Sequence, residues 1–204
     1  MFYELTTLNT VIFGAPKMSS ALEQWAKDLP AGARFHGAWT TDIGQLNQVI
    51  LLRSFENLEM LNKARNALRG SEDPFGCSEF IIDYDIETFE MLDFLQEPQE
   101  GKFGPIFEFR TYQTRTNGLF ETREKWRSYA PKRAEYSPLI AAMYGVDGSP
   151  RLTQIWAYSS LEERSQIRAK TVSDGIWPPK GGPDWLTPKM TSMIAFPMAF
   201  SPLS

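Results

Sequence analysis

Ile106-Phe107-Glu108-Phe109-Arg110-Thr111 repeats the pattern of Phe2-Tyr3-Glu4-Leu5-Thr6-Thr7, which lies 104 residues earlier. Further along, Leu152-Thr153-Gln154-Ile155-Trp156 follows Leu46-Asn47-Gln48-Val49-Ile50 at a shift of 106. Ser160-Leu161-Glu162 follows Ser54-Phe55-Glu56 at the same shift. Three blocks in one order at nearly constant spacing make duplication the better explanation than chance, and an internal repeat constrains the fold before any single element does.

Each half reads as strand, helix, strand, strand, helix, strand. In the second half, Ile106 to Tyr112 alternates and is rich in aromatics, as a half-buried strand should be. Leu119 to Lys132 carries Phe120, Trp126 and Tyr129 among charges, an amphipathic helix that Pro131 is expected to bend or stop. Strands at Ile140 to Val146 and Leu152 to Tyr158 flank the turn Asp147-Gly148-Ser149-Pro150. Ser160, with Glu163 three residues on, marks a helix start, and Ser54 is given the same capping role. Met190 to Phe196 closes the half, after a breaker-rich loop running from Trp177-Pro178-Pro179 to Gly181-Gly182-Pro183.

The first half repeats the plan: strands at Tyr3 to Leu8, Phe35 to Thr41, Leu46 to Arg53 and Phe80 to Met91, and helices at Ser19 to Lys27 and Phe55 to Leu68. Pro98, Gly101, Gly104 and Pro105 mark a linker between a first unit, 1–98, and a second, 105–204. The expected class is α+β: two tandem ferredoxin-like βαββαβ repeats. Both helices of a repeat cover one face of its antiparallel sheet. The uncovered faces press together into an α/β barrel, either within the chain or across a dimer.

The chain has 204 residues, a net charge of -4 and 21 dispersed Lys and Arg residues. With no basic face or run, nucleic acid is excluded as an expected partner. One cysteine, Cys77, rules out an intramolecular disulfide. No stretch reaches the roughly 20 apolar residues needed to span a bilayer, so membrane insertion is not expected. The opening Met1-Phe2-Tyr3-Glu4 lacks the basic and apolar regions of a signal peptide, and the expected location is the cytoplasm.

Trp39-Thr40-Thr41-Asp42-Ile43-Gly44-Gln45-Leu46-Asn47-Gln48-Val49 resembles the NIPSNAP pattern of a Trp-Thr strand end, a Gly turn and an Asn-Gln strand. Phe107 to Tyr112, and Gln154 to Arg164 (QIWAYSSLEER), resemble that family's opening strand and its third strand with the following helix. The resemblance implies a dimeric α/β barrel, hence a homodimer, and transfers no catalytic constellation and no cofactor. It is imperfect: Gly145-Val146-Asp147 stands where the first half has Trp39-Thr40-Thr41, and Thr153 replaces Asn47.

Strand alternation supplies the candidate chemistry. Phe107, Phe109 and Thr111 share one face, and Glu108, Arg110 and Tyr112 the other. If the aromatics pack on the helices, the polar trio points into the barrel. Gln154, Trp156 and Tyr158 share a face of the neighbouring strand; in the first half Gln48 matches Gln154, Trp39 offers an aromatic wall, and a site built on Trp39 and Asn47 would exist in that half alone. Such an interior suits a small organic molecule, with Glu108 and Arg110 as catalytic candidates and the other seven binding it. Enclosure would raise the Glu108 pKa and make it a general base, unless Arg110 holds it ionised in an internal ion pair. The expected function is thus small-molecule binding, in one version by a cofactor-independent enzyme. The competing expectation is a non-enzymatic interaction protein that uses its sheet face for oligomerisation.

His36 is expected to be a packing residue, and Cys77 likewise, with no histidine nearby to make a thiolate. One His and one Cys exclude a zinc site built on those ligands. Phosphate-loop, dinucleotide and nucleophile-elbow motifs are absent from the sequence.

Overall fold

The computed structural model describes residues 1–180 and 184–204. The first half forms β1 (Phe2–Thr10), α1 (Ser19–Lys27), β2 (Ala33–Ile43), β3 (Gln48–Phe55), α2 (Leu58–Arg69) and β4 (Ile81–Met91). The second forms β5 (Ile106–Thr114), α3 (Gly118–Ala134), β6 (Leu139–Gly145), β7 (Arg151–Tyr158), α4 (Leu161–Ser173) and β8 (Leu186–Pro197). The Gly181-Gly182-Pro183 turn read from the sequence lies outside the described residues.

The strands close into one barrel in the order β1-β3-β2-β8-β5-β7-β6-β4. Each half supplies a ferredoxin-like sheet in which the fourth, first, third and second strands lie side by side. The sheets join at two antiparallel seams, β2 with β8 and β4 with β6. Closure therefore happens within one chain, and both edges of each sheet are paired without a second subunit.

The barrel interior is apolar. Trp39, Phe107, Phe109, Phe89, Ile50, Leu52 and Ile155 meet there, with the Trp39 ring 5.4 Å from Phe107 and 5.3 Å from Phe109. Each such aromatic contributes on the order of 2 kcal/mol by leaving water. An ionised Glu or Arg in their place would lose its hydration with no partner to replace it. This reverses the expected facing of β5. Phe107 and Phe109 point inward, and Glu108, Arg110 and Tyr112 point outward, toward the layer where the helices bring hydrogen-bonding partners.

The register also corrects the alignment of the halves. Glu4 stands opposite Arg53 on β3, whereas Glu108 stands opposite Trp156 on β7. Given that Glu4 corresponds to Glu108, Arg53 corresponds to Trp156, a shift of 103 rather than 106. The helix caps agree: Asn57 caps α2 by accepting from Met60 N, and Ser160 caps α4 by accepting from Glu163 N. Ser54 is no cap. It lies in β3 with its hydroxyl 2.8 Å from His36 Nε2. Gln48 and Gln154 are not equivalents, and the likeness of their blocks is a coincidence of composition.

Helix α3 runs through Pro131 to Ala134 instead of stopping. Proline removes one helical hydrogen bond, but Trp126, Ala130 and Arg133 anchor this last stretch against the sheet. His36 is buried, and its pKa is pushed down to about 4 by burial and then by the nearby Arg34 charge. Cys77 packs in the core under α1, its thiol pushed up to about 11 by burial first and by Asp73 and Glu79 second.

Candidate functional site

Between the outer face of the second sheet and helices α3 and α4 lies a cavity of about 720 Å³. Arg110 and Tyr112 from β5, with Gln154, Trp156 and Tyr158 from β7, form its floor. They share this surface because residues two apart on a strand point the same way. Trp126 and Arg133 come from α3, seven residues and two helical turns apart. Arg168 and Thr171 come from one face of α4. Trp177, Pro178, Trp185 and Met190 wall the remaining described side.

The walls are indole-rich. The rings of Trp126 and Trp177 lie 4.9 Å apart, with Trp156 at 6.4 and 6.5 Å from them. The Arg133 guanidinium stacks 4.3 Å from the Trp156 ring and donates to Ser137 Oγ (2.8 Å) and Tyr158 Oη (3.1 Å). Trp156 Nε1 donates to Gln154 Oε1 at 2.6 Å. Indole N–H is only a donor, so the amide orientation is settled and Gln154 Nε2 is a donor. That nitrogen is buried and has no partner among the described residues.

Glu108, on the same outward face as Arg110, sits beside the floor, fully buried. Its Oε1 accepts from Arg110 Nη1 (2.5 Å), Arg164 Nη2 (2.6 Å) and Ser192 Oγ (2.8 Å), and its Oε2 from Tyr158 Oη (3.4 Å). Burial pushes its pKa up, but hydrogen bonding to Arg164 and the charge of Arg110 outweigh this and hold it down at about 2. A carboxylate so fixed is an ionised anchor with no basicity at neutral pH. Tyr158 is shifted the other way, by burial and by the Glu108 charge, so its hydroxyl keeps its proton. Arg133 is pulled down from its ordinary value by burial, yet a guanidinium stays protonated in proteins.

Five of the nine residues singled out from the sequence meet at this cavity: Arg110, Tyr112, Gln154, Trp156 and Tyr158. Trp39 lies inside the barrel, and its facing separates it from them. Asn47 is an exposed turn residue at φ 57 whose carbonyl accepts from Thr10 N at 2.8 Å, and Gln48 donates to Asn9 Oδ1 at 2.7 Å. Arg133 and Arg168 are the charged cavity residues that sequence reasoning missed; Trp126, Trp177 and Trp185 also line it without having been singled out as site residues. The signal for the two arginines was helical spacing, seven residues from Trp126 and four from Arg164. The lining offers guanidinium, phenol, amide and indole groups, none of them an ordinary metal ligand set. Among the described residues, no three of His, Cys, Asp and Glu cluster as a metal site. No described helix is long and apolar enough to cross a membrane.

Two ferredoxin-like repeats closed into a single barrel, with a helix-roofed cavity over one sheet, define an α/β barrel of tandem repeats. The chain belongs to the NIPSNAP family, whose model matches residues 3–76 and 107–202. It is 24% identical over 186 residues to Protein NipSnap homolog of Dictyostelium discoideum, covering 86% of this chain and 77% of that one. It is 24% identical over 179 residues to human Protein NipSnap homolog 2, covering 82% of this chain but 61% of the human protein's length. Among solved structures, a candidate monooxygenase from Lactobacillus acidophilus superposes with a TM-score of 0.67 at 10% identity, covering 97% of this chain and 94% of that one. An anthrone oxidase-like protein superposes with a TM-score of 0.58 at 11% identity, covering 96% and 90%. At these identities the likeness speaks for the fold alone.

Proposed function

We infer that the chain is a small-molecule-binding protein and that the cavity under α3 and α4 is its binding site. The observation that carries this reading is a volume of about 720 Å³ walled by Trp126, Trp156, Trp177 and Trp185, with convergent polar groups on its floor. Ligand sites combine apolar walls with a few placed polar atoms in this way. Glu108 acts as the anchor that orients Arg110 and Arg164, a positioning role and not a basic one. Any chemistry at this site falls to the substrate's own reactivity, with Tyr158 and Tyr112 as hydroxyl groups at the floor. What supports this reading over sheet-face assembly is that barrel closure within the chain occupies the inner sheet faces.

The test is a thermal-shift screen of small organic acids, amines and neutral compounds on the full chain and on Ala169→Trp. Ala169 lines the cavity from an exposed position on α4, so the larger ring fills the space without removing a core side chain. At least one compound class is expected to raise the melting temperature of the parent chain and to lose that effect in Ala169→Trp. Equal shifts in both proteins, or none in either, would sink the proposal.

A further inference from the structure

We propose that this cavity selects a planar aromatic oxyanion, a carboxylate or phosphate carried on a ring system; the inference rests on reading the cavity as a small-molecule site.

The first observation is charge. Arg110, Arg133 and Arg168 line the cavity, and Arg164 of α4 pairs with Glu108 beside it. Among the described residues, one carboxylate, Glu108, pairs with any of these four, and it reaches only Arg110 and Arg164. Arg133 is 3% exposed and touches no carboxylate, only a serine, a tyrosine and an indole face. The cavity lining holds no acidic side chain among its described members. A buried guanidinium without a counter-charge makes the space beside it favourable for an anion and hostile to a cation.

The second observation is the buried Gln154 Nε2, a donor with no acceptor among the described residues. It adds a neutral N–H to a set of cationic ones, and an oxyanion is what such a set accepts. The third is shape. The indole faces of Trp126, Trp156 and Trp177 present flat, polarisable surface beside those donors, which suits a ring.

A control lies in the same molecule. The corresponding cavity over the first sheet, about 600 Å³, is lined by Asp28 and Asp73 as well as Arg53 and Lys63. Its charges are balanced, and the same argument assigns it no preference for anions.

Calorimetric titration of the full chain at low salt would use four probes on one ring: 2-naphthoate, 2-naphthyl phosphate, 2-naphthalenemethanol and 2-naphthylmethylamine. One of the two anions is expected to bind about tenfold or more tighter than the alcohol, the scale of a charge-assisted hydrogen bond, with the amine weakest. The tighter anion names the oxyanion. Arg168→Gln should take about tenfold off anion binding and leave the alcohol unchanged. Arg127→Gln, whose side chain pairs with Asp93 away from the cavity, should alter neither. Raising salt should weaken the anions only, a readout that needs no variant. An alcohol or amine that binds as well as both anions overturns the anion selectivity while the binding site stands. Anion affinity indifferent to both Arg168→Gln and salt overturns it too. No binding by any probe overturns the site and its selectivity together.

Discussion

Glu4 and Glu108 occupy the same place in the two halves, fully buried on the outer face of each opening strand. Glu4 meets Arg53 from the adjacent strand (Nε 2.6 Å) and Arg65 from the helix above (Nε 2.6 Å). In the second half the position corresponding to Arg53 is Trp156, so the carboxylate draws on Arg110 of its own strand and Arg164 of α4 instead. One cross-strand exchange, arginine for tryptophan, separates a locked floor from an aromatic one. Both halves carry a cavity over their sheet, but the first locks its buried carboxylate across strands through Arg53, whereas the second turns the Trp156 indole toward its cavity.

The largest expected effect tests that difference directly. Removing one member of a buried ion pair costs about 3–5 kcal/mol, because the surviving charge is left buried alone. Arg53 and Arg65 are 3% and 13% exposed, so Glu4→Gln should cost close to that full range. Arg110 and Arg164, at 15% and 22%, can recover some hydration, so Glu108→Gln should cost less, roughly 1–3 kcal/mol. Urea unfolding of both variants reads the ranking. A Glu108→Gln cost equal to or above that of Glu4→Gln would break the comparison.

A second effect concerns acid. Folding lowers the Glu108 pKa from its ordinary 4.5 to about 2, so its contribution is fully present above 4.5. That contribution drains away as pH falls through the interval down to 2, where the folded state must also take up the proton. The loss is on the order of 3 kcal/mol across the interval, because each tenfold change in proton affinity corresponds to about 1.4 kcal/mol. Stability measured between pH 5 and pH 2 should therefore slope less steeply in Glu108→Gln than in the parent chain. Identical slopes would mean that Glu108 is not held ionised by its arginines.

Much of the architecture was legible because periodicity and turn chemistry are local. The eight described strands, the four described α-helices and the α1 boundaries at Ser19 and Lys27 follow from them. What the sequence could not supply was the inside of the barrel. Alternation on β5 separates Phe107 and Phe109 from Glu108 and Arg110, but which set faces inward depends on a closure that no single strand encodes. The same non-locality hid the site. Arg110, Tyr112, Gln154, Trp156 and Tyr158 were readable as one face. Arg133 and Arg168 join them only once the helices are laid across that face, and Gln48 was drawn in by an alignment three residues out of register.

That register is itself open to test, with the smallest effects. If the halves correspond at a shift of 103, Asn57 and Ser160 are equivalent caps and each should be worth about 1 kcal/mol against alanine, within the usual range for such positions. They should not be equal. In α4 the Glu163 side chain also turns back, accepting from Ser159 N (2.6 Å) and Ser159 Oγ (2.7 Å), so the chain entering the helix stays tethered when Ser160 is replaced. In α2 the corresponding third helical residue is Met60, which can accept no such bond, and Asn57 Oδ1 carries the start alone. Asn57→Ala should therefore cost more than Ser160→Ala, by a few tenths of a kcal/mol, and Glu163→Ala in the Ser160→Ala background should close the gap. Denaturant midpoints of the three proteins decide it. A larger loss at Ser160 would place the stronger cap in the half with the indole-walled cavity and reverse the assignment of the first half as the more tightly locked of the two.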